Sequence, residues 1–291
     1  MPPWNDRAGR LSVLKLVFFL GILAPGAWLL CQALAGTLGS KPVTEAIHQS
    51  GDWTVRLLLV SLAVTPFRYA LDWPKLILIR RMVGVAALAY VVIHLGLYVV
   101  DQGYDLAKVT SEIVRRFYLT IGFVALVGLA VLAATSTDAM IKRIGAVRWN
   151  RLHQIVYGLT VLALLHFFLQ SKIDVTEPSL MAGLFLWLIG FRLMRRFAVR
   201  IAPWQLVGLA AVAAIATALL ETLWYATMTG VMASRVFMAN FSIDIGLRPA
   251  AWVLVAGLAI AGINALRRLT GEPDRGRGRR RSPEPVASAA E

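Results

Sequence analysis

The chain is poor in cysteine and in charged residues. It has one cysteine, Cys31, among 291 residues, which excludes an internal disulfide bond and an iron–sulfur cluster held by several thiolates. Charged residues make up 16% of the chain, whereas soluble domains contain about 25%. Acidic residues are the scarcer kind, because 16 Asp and Glu stand against 30 Lys and Arg. This composition excludes a disordered or fibrous chain and argues against a soluble enzyme.

Long uncharged runs take the place of the missing charges. Hydrophobic residues make up 58% of the chain, and a bilayer core of ~30 Å is crossed by about 20 apolar residues in a helix. We therefore predict an all-α polytopic membrane protein with eight transmembrane helices. The predicted spans are 16–40, 53–71, 82–100, 117–137, 153–170, 178–194, 201–220 and 249–266.

The excess of positive charge, +14, is explained mainly by topology. With the N-terminus in the cytoplasm, the predicted inside segments hold 22 of the Lys and Arg residues and the outside segments hold 8. This split follows the positive-inside rule and places both termini in the cytoplasm. Seven of the inside arginines lie beyond the last span, where we expect a disordered tail on anionic lipid rather than nucleic-acid binding.

Three of the four histidines lie in or beside predicted spans, where polar groups are usually functional. The third and fifth spans run in the same direction, so His94 and His166 are expected at similar depth near the outer face. Two imidazoles at matched depth on neighbouring helices can bind a haem iron from both sides. His48, in contrast, is expected to be a solvated residue of the first outside loop.

The inner ends of the same two spans carry His153 and Arg80. Arg80 and His94 are 14 residues apart and face the same seam in a bundle with 3.5-residue packing. His153 and His166 are 13 residues apart, ~20 Å along a helix, which would suit one cofactor near each face. An ideal helix would leave them about 140° out of line. That mismatch requires a kink near Gly158 or a regular helix that begins after His153. The alternative role for each histidine is a hydrogen bond between helices.

Five motifs carry a resemblance to a known family. In order they are TPFR at 65–68, RRMVG at 80–84, YVVIHLGLY at 90–98, RWNRLHQIVY at 148–157 and HFFLQSK at 166–172. Together they resemble the MsrQ family, formerly YedZ, in the ferric-reductase-like transmembrane group. The family comprises the haem-binding membrane subunits of bacterial periplasmic methionine sulfoxide reductase systems. The motifs cover roughly residues 10–195.

The resemblance implies a domain organisation. Residues 1–15 would form a cytoplasmic N-terminus, and residues 16–199 a six-helix ferric-reductase-like haem-binding bundle. Residues 200–268 would add two C-terminal transmembrane helices, which depart from the basic family pattern. Residues 269–291 would be a disordered basic cytoplasmic tail.

The resemblance also implies an activity in the bacterial inner membrane. One or two b-type haems would carry electrons to a periplasmic molybdopterin-containing methionine sulfoxide reductase subunit, which repairs oxidised envelope proteins. The chain would be an electron-transfer subunit and not the catalytic one. Its electrons would come from quinol or from a cytosolic flavin reductase, and FMN is also associated with the family.

The haem residues carried over by the resemblance are His94, His153 and His166. Arg80 occupies the position where some relatives have a fourth histidine. Its planar, permanently charged guanidinium suits a haem propionate or a flavin phosphate. Arg81 is expected to be only a positive-inside anchor.

Two other functions fit an eight-span protein. One is a proton-coupled transporter or channel with relaying intramembrane histidines. It is disfavoured because acidic residues are rare in the spans, Glu221 being the main exception, and no inverted repeat is found. The other is a structural anchor for a partner.

Arg56, at the outer end of the second span, is expected to snorkel to the interface rather than neutralise a haem propionate.

Overall fold

The computed structural model describes residues 2–5, 9–198, 200–242 and 246–270, and its regular elements are helices. The longer helices are α1 (Val13–Leu34), α2 (Pro42–Ala70), α3 (Arg80–Asp101), α5 (Phe117–Ala134), α8 (Val156–Ser171), α9 (Thr176–Phe197), α10 (Pro203–Met228) and α12 (Pro249–Leu269). Shorter ones are α4 (Leu106–Arg115), α6 (Asp138–Ile144), α7 (Ala146–His153) and α11 (Ala233–Ala239), with a 3₁₀ turn at Pro74–Ile79. The tail expected at 269–291 lies, from residue 271 onward, outside the described residues.

Seven helical segments are long and apolar enough to cross a bilayer, which makes the chain a multi-pass membrane protein. They are Val13–Leu34, Pro74–Asp101, Phe117–Ala134, Ala146–Ser171, Thr176–Phe197, Pro203–Met228 and Pro249–Leu269. The predicted second span lies in α2, which is not among the seven. This helix is long enough, at 29 residues, but Asp52, Arg56 and Arg68 make it more polar than the others.

α2 lies at the centre of the bundle and packs against α1, α3, α8, α9 and α12. It contributes to two apolar clusters on opposite sides. Val55, Leu59 and Leu62 pack with residues of α8, α9, α10 and α12. Leu57, Leu58 and Val64 pack with residues of α1, α3, α5 and α8. Because protein surrounds α2, its polar side chains meet other side chains instead of lipid.

Arg56 illustrates this protection, because it has a charged partner on another helix. Its Nε and Nη2 atoms donate to Oε1 of Glu177 on α9, at 3.0 and 2.8 Å. The guanidinium also lies over the ring of Trp53, 4.9 Å from the ring centre. Both carboxylate and arginine are about one-third exposed. The ion pair therefore joins α2 to α9.

The last two long helices share the main core. α10 and α12 pack on α9 through small residues, and Val253 and Ala213 belong to the same apolar cluster as Leu59 of α2. Asn264 of α12 donates from Nδ2 to the Ala70 carbonyl at the end of α2, at 2.5 Å. The helices after residue 200 thus complete a core that begins in α2.

Close packing of α12 on α10 leads to a stability prediction. A Cβ atom at Gly257 would lie 2.5 Å from Cβ and 3.1 Å from Cα of Ala210. Gly257→Ala should therefore force the helices apart and cost about 1–3 kcal/mol. Thermal unfolding of the detergent-purified protein would show this as a lower Tm. Gly262→Ala on the same helix is the control, since no atom lies within 4 Å of its added Cβ. Equal Tm values for both variants would contradict the close approach.

Candidate functional site

Two histidine rings from different transmembrane helices face each other inside the bundle. His94 is on α3 and His166 is on α8. Their ring centres are 6.3 Å apart and the ring planes are nearly perpendicular, at 89°. The structure thus brings together the two histidines that were expected at matched depth.

Each ring is anchored in the same way to the backbone of a neighbouring helix. Nδ1–H of His94 donates to the Ile47 carbonyl of α2 at 2.8 Å. Nδ1–H of His166 donates to the Tyr118 carbonyl of α5 at 2.7 Å. A carbonyl oxygen only accepts, so Nδ1 must carry the proton in both rings. The neutral imidazole then has an unprotonated Nε2, which is the form that binds a metal ion.

A glycine lies one turn after each of these carbonyls. A Cβ at Gly51, four residues after Ile47, would lie 3.0 Å from Cε1 of His94. A Cβ at Gly122, four residues after Tyr118, would lie 2.8 Å from Nδ1 of His166. In a helix, a side chain covers the turn that precedes it. The two glycines therefore leave each carbonyl open to a histidine ring.

Both rings line one cavity enclosed by α2, α3, α5 and α8. The cavity volume is about 140 Å³, and part of the cavity is open to the outside. Apolar side chains form most of its wall, among them Val55, Val91, Leu95, Leu119, Phe123, Leu126, Leu129, Ala163 and Phe167. Besides the two histidines, the polar lining residues are His48, Asp52, Thr54, Tyr98, Gln170 and Ser171.

The position of His48 corrects its expected place in a loop. α2 begins at Pro42, so His48 lies in its second turn, exposed and lining the cavity. The sequence prediction began this helix at residue 53, eleven residues too late. It began so late because the preceding segment is polar and leaves no hydrophobic run.

His153 is placed differently from the other two histidines. It ends α7, and α8 begins at Val156, so the regular helix starts after His153. Its Nδ1 atom lies 3.0 Å from the Trp149 carbonyl, and Nε2 lies 3.2 Å from the Leu132 carbonyl and 3.2 Å from Oγ of Ser136. The ring stacks on Trp149 at 3.8 Å. The ring thus lies against the Leu132 carbonyl in the last turn of α5.

The arginines expected at the same end have separate surroundings. Arg81 pairs with Asp138 of α6 at 2.5 Å. Within the described parts of the chain, no hydrogen bond joins Arg80 to His153. Arg80 instead lies close enough to Arg192 of α9 for their charges to repel. Arg192, which sequence reasoning missed, donates to the Leu62 carbonyl and lies 5.3 Å from the ring centre of Tyr157.

Comparison with known proteins gives first the class of protein. The family described as ferric reductase like transmembrane component matches residues 50–164. This segment runs from α2 into α8, contains His94 and His153, and ends two residues before His166. The chain is therefore a multi-pass membrane protein with a ferric-reductase-like transmembrane domain.

Individual relatives then give the family. The protein-methionine-sulfoxide reductase heme-binding subunit MsrQ of Rhodospirillum rubrum is 40% identical over 191 residues, 65% of this chain and 89% of the relative. The MsrQ proteins of Polaromonas naphthalenivorans and Caulobacter vibrioides are 40% and 38% identical, over 63% and 64% of this chain and 85% and 90% of the relatives. The chain belongs to the MsrQ family. No solved structure matches it.

The glycine contacts lead to a prediction about cofactor binding. Gly122→Ala should push the His166 ring away from the Tyr118 carbonyl and release the bond that fixes Nδ1. Loss of such a supporting bond typically weakens metal binding about 10- to 100-fold. Haem retained per protein after purification would measure the effect. Gly96→Ala on α3, whose added Cβ meets no atom within 4 Å, should retain haem as the unchanged protein does. Full haem retention by Gly122→Ala would contradict the anchoring role of this contact.

Proposed function

We propose that this protein binds b-type haem between His94 and His166 and transfers electrons across the membrane to a methionine sulfoxide reductase. The observation that carries the proposal is the facing pair of imidazoles. Each ring has Nδ1 fixed by a backbone carbonyl, and no protein partner for either Nε2 is found among the described residues. The names of the relatives support the same reading, because they are haem-binding subunits of such reductases.

The residues present fit a haem. Two neutral imidazoles from different helices, each with Nδ1 bonded to a carbonyl, are a donor set that would hold a haem iron through Nε2. Their ring centres are 6.3 Å apart. The cavity wall is apolar where a macrocycle would contact it, and the two glycines keep the rings close to the helices behind them.

The bound haem would supply one-electron redox chemistry, and the chain determines where and in what surroundings it occurs. His94 and His166 would hold the iron from two helices that α2 and α5 keep in place. The apolar wall excludes water, which together with the axial ligands sets the reduction potential. Hydrogen bonds from both Nδ1 atoms make each imidazole a stronger ligand.

We further propose that the protein lies in the bacterial inner membrane with both termini in the cytoplasm. α2 would then be an eighth crossing, because an even number of spans returns the chain to the same side. The Lys and Arg distribution supports this orientation. In it, the His94 and His166 end of the bundle, with helix α4, faces the periplasm. The reductase would receive electrons at that face.

The proposed partners follow from the same orientation. The acceptor would be the periplasmic molybdopterin-containing subunit, and the donor quinol or a cytosolic flavin reductase. At the cytoplasmic end, Arg80 and Arg192 place two positive charges near each other inside the bundle. Such a pair suits an anionic group, either a haem propionate or the phosphate of FMN.

A reduced-minus-oxidised spectrum of purified protein tests the haem assignment. We expect a b-type signal that is lost in His94→Ala and in His166→Ala, because either change removes one axial ligand. His153→Gln is the matched control, since the His153 ring stacks on Trp149 and faces no second imidazole among the described residues. If both alanine variants kept a full, unshifted spectrum, the ligand assignment would be wrong. A folded protein without haem would favour the proton-coupled transporter.

Haem stoichiometry separates one haem from two. The geometry supports one haem per chain, because one pair of facing imidazoles is found among the described residues, and the His153 ring lies instead against the Trp149 ring and the Leu132 carbonyl. We therefore expect one equivalent in the unchanged protein and one in His153→Ala. Two equivalents falling to one in that variant would instead assign His153 to a second haem and require its ring to leave the Leu132 and Trp149 carbonyls.

A further inference from the structure

Asp52 is a carboxyl group inside the cavity that the proposed function does not use. It follows Gly51, the residue against which the His94 ring lies, and it lines the same cavity as both histidines. Across the part of the chain that the structure describes, no donor hydrogen-bonds its carboxylate. An acid in such a place needs a partner or a proton.

The charged groups around Asp52 do not supply that partner. Arg56, one turn later on α2, uses its guanidinium for Glu177 of α9. Glu177, and Glu45 on α2, add negative charge near Asp52, whereas His48 and Arg56 oppose it. Among the other titratable residues that line the cavity, α3 contributes His94 and Tyr98, and α8 contributes His166. None of these three carries a permanent positive charge.

The surroundings of Asp52 disfavour its charged form. Its side chain lines a mainly apolar cavity, and no hydrogen bond to its carboxylate is found among the described residues. One added negative charge in such a cavity further favours the protonated acid.

We propose that Asp52 is a redox-linked proton-binding site, which takes up one proton from the periplasmic side when an electron enters the cavity and releases it when the electron leaves. This inference rests on the proposed haem at His94 and His166. The electron comes from the quinol or reduced flavin donor and reduces ferric iron to ferrous iron. The proton comes from water and forms one O–H bond at the Asp52 carboxylate, so the charge of the cavity is unchanged.

His48 supports a route for that proton. It lies one turn before Asp52, and residues four apart share one face of a helix. His48 is exposed and also lines the cavity. Water can therefore reach the end of the cavity at which His48 and Asp52 lie.

The test is a redox titration of the haem in purified protein from about pH 5 to about pH 8. We expect the midpoint potential to fall with rising pH over the range in which only the reduced protein is protonated at Asp52, and to be constant on either side of that range. With one proton per electron, each tenfold drop in proton concentration lowers the potential by about 59 mV. Asp52→Asn should abolish this dependence, while Glu45→Gln, a nearby carboxyl outside the cavity lining, should keep it.

Two results would overturn the inference. One is a potential independent of pH in the unchanged protein, and the other is an unchanged pH dependence in Asp52→Asn, which would assign the proton to His48 or to the haem carboxylates. If Asp52→Asn does not fold, reduced-minus-oxidised infrared spectra of the unchanged protein and of Asp52→Glu decide. A protonated carboxyl band must appear on reduction and shift in Asp52→Glu, and its absence would contradict the proposal. A protein without haem would instead refute the proposed function.

Discussion

The facing histidines depend on one constraint: a polar N–H inside a membrane must have an acceptor. Each imidazole has two nitrogens, and only one of them can be presented to the cavity in its unprotonated form. The other needs a carbonyl that is already part of a helix and still has a free lone pair. Ile47 and Tyr118 provide these carbonyls, and Gly51 and Gly122 keep the space beside them open. The tautomer, the ring orientation and the width of the gap all follow from this arrangement.

α2 unites most of the functional features, although it is the least apolar of the long helices. It supplies the acceptor for His94, the glycine beside it, the cavity carboxyl Asp52 and the ion-pairing Arg56. These polar groups are tolerated because five other helices pack around α2, so that protein replaces lipid along its length. The same polarity explains why it is not among the seven apolar segments. In this protein a low hydrophobicity marks the central helix and not a surface one.

Sequence reasoning succeeded where the bilayer itself sets the structure. Residues 82–100 and 249–266 were predicted as spans, and the helices run over Arg80–Asp101 and Pro249–Leu269. Depth along the membrane also predicted that His94 and His166 would be close.

Features that depend on contacts between helices were missed, such as the second-turn position of His48, the pairing of Arg56 with Glu177 and the role of Arg192. The short helices α4, α6 and α7 leave no hydrophobic run. Gly51 and Gly122 can be read in the sequence. The histidines that they contact, however, lie 43 and 44 residues further along the chain, so sequence spacing gives no sign of these contacts.

The bond from Asn264 to the Ala70 carbonyl has a consequence for biogenesis. The two residues are 194 positions apart, so α2 is synthesised long before its last partner exists. Since α2 and α12 share one core, the ribosome must complete almost the whole chain before this end of α2 is covered. We expect α2 to pack first on its early neighbours α1 and α3, and to complete its packing only when α12 enters the membrane.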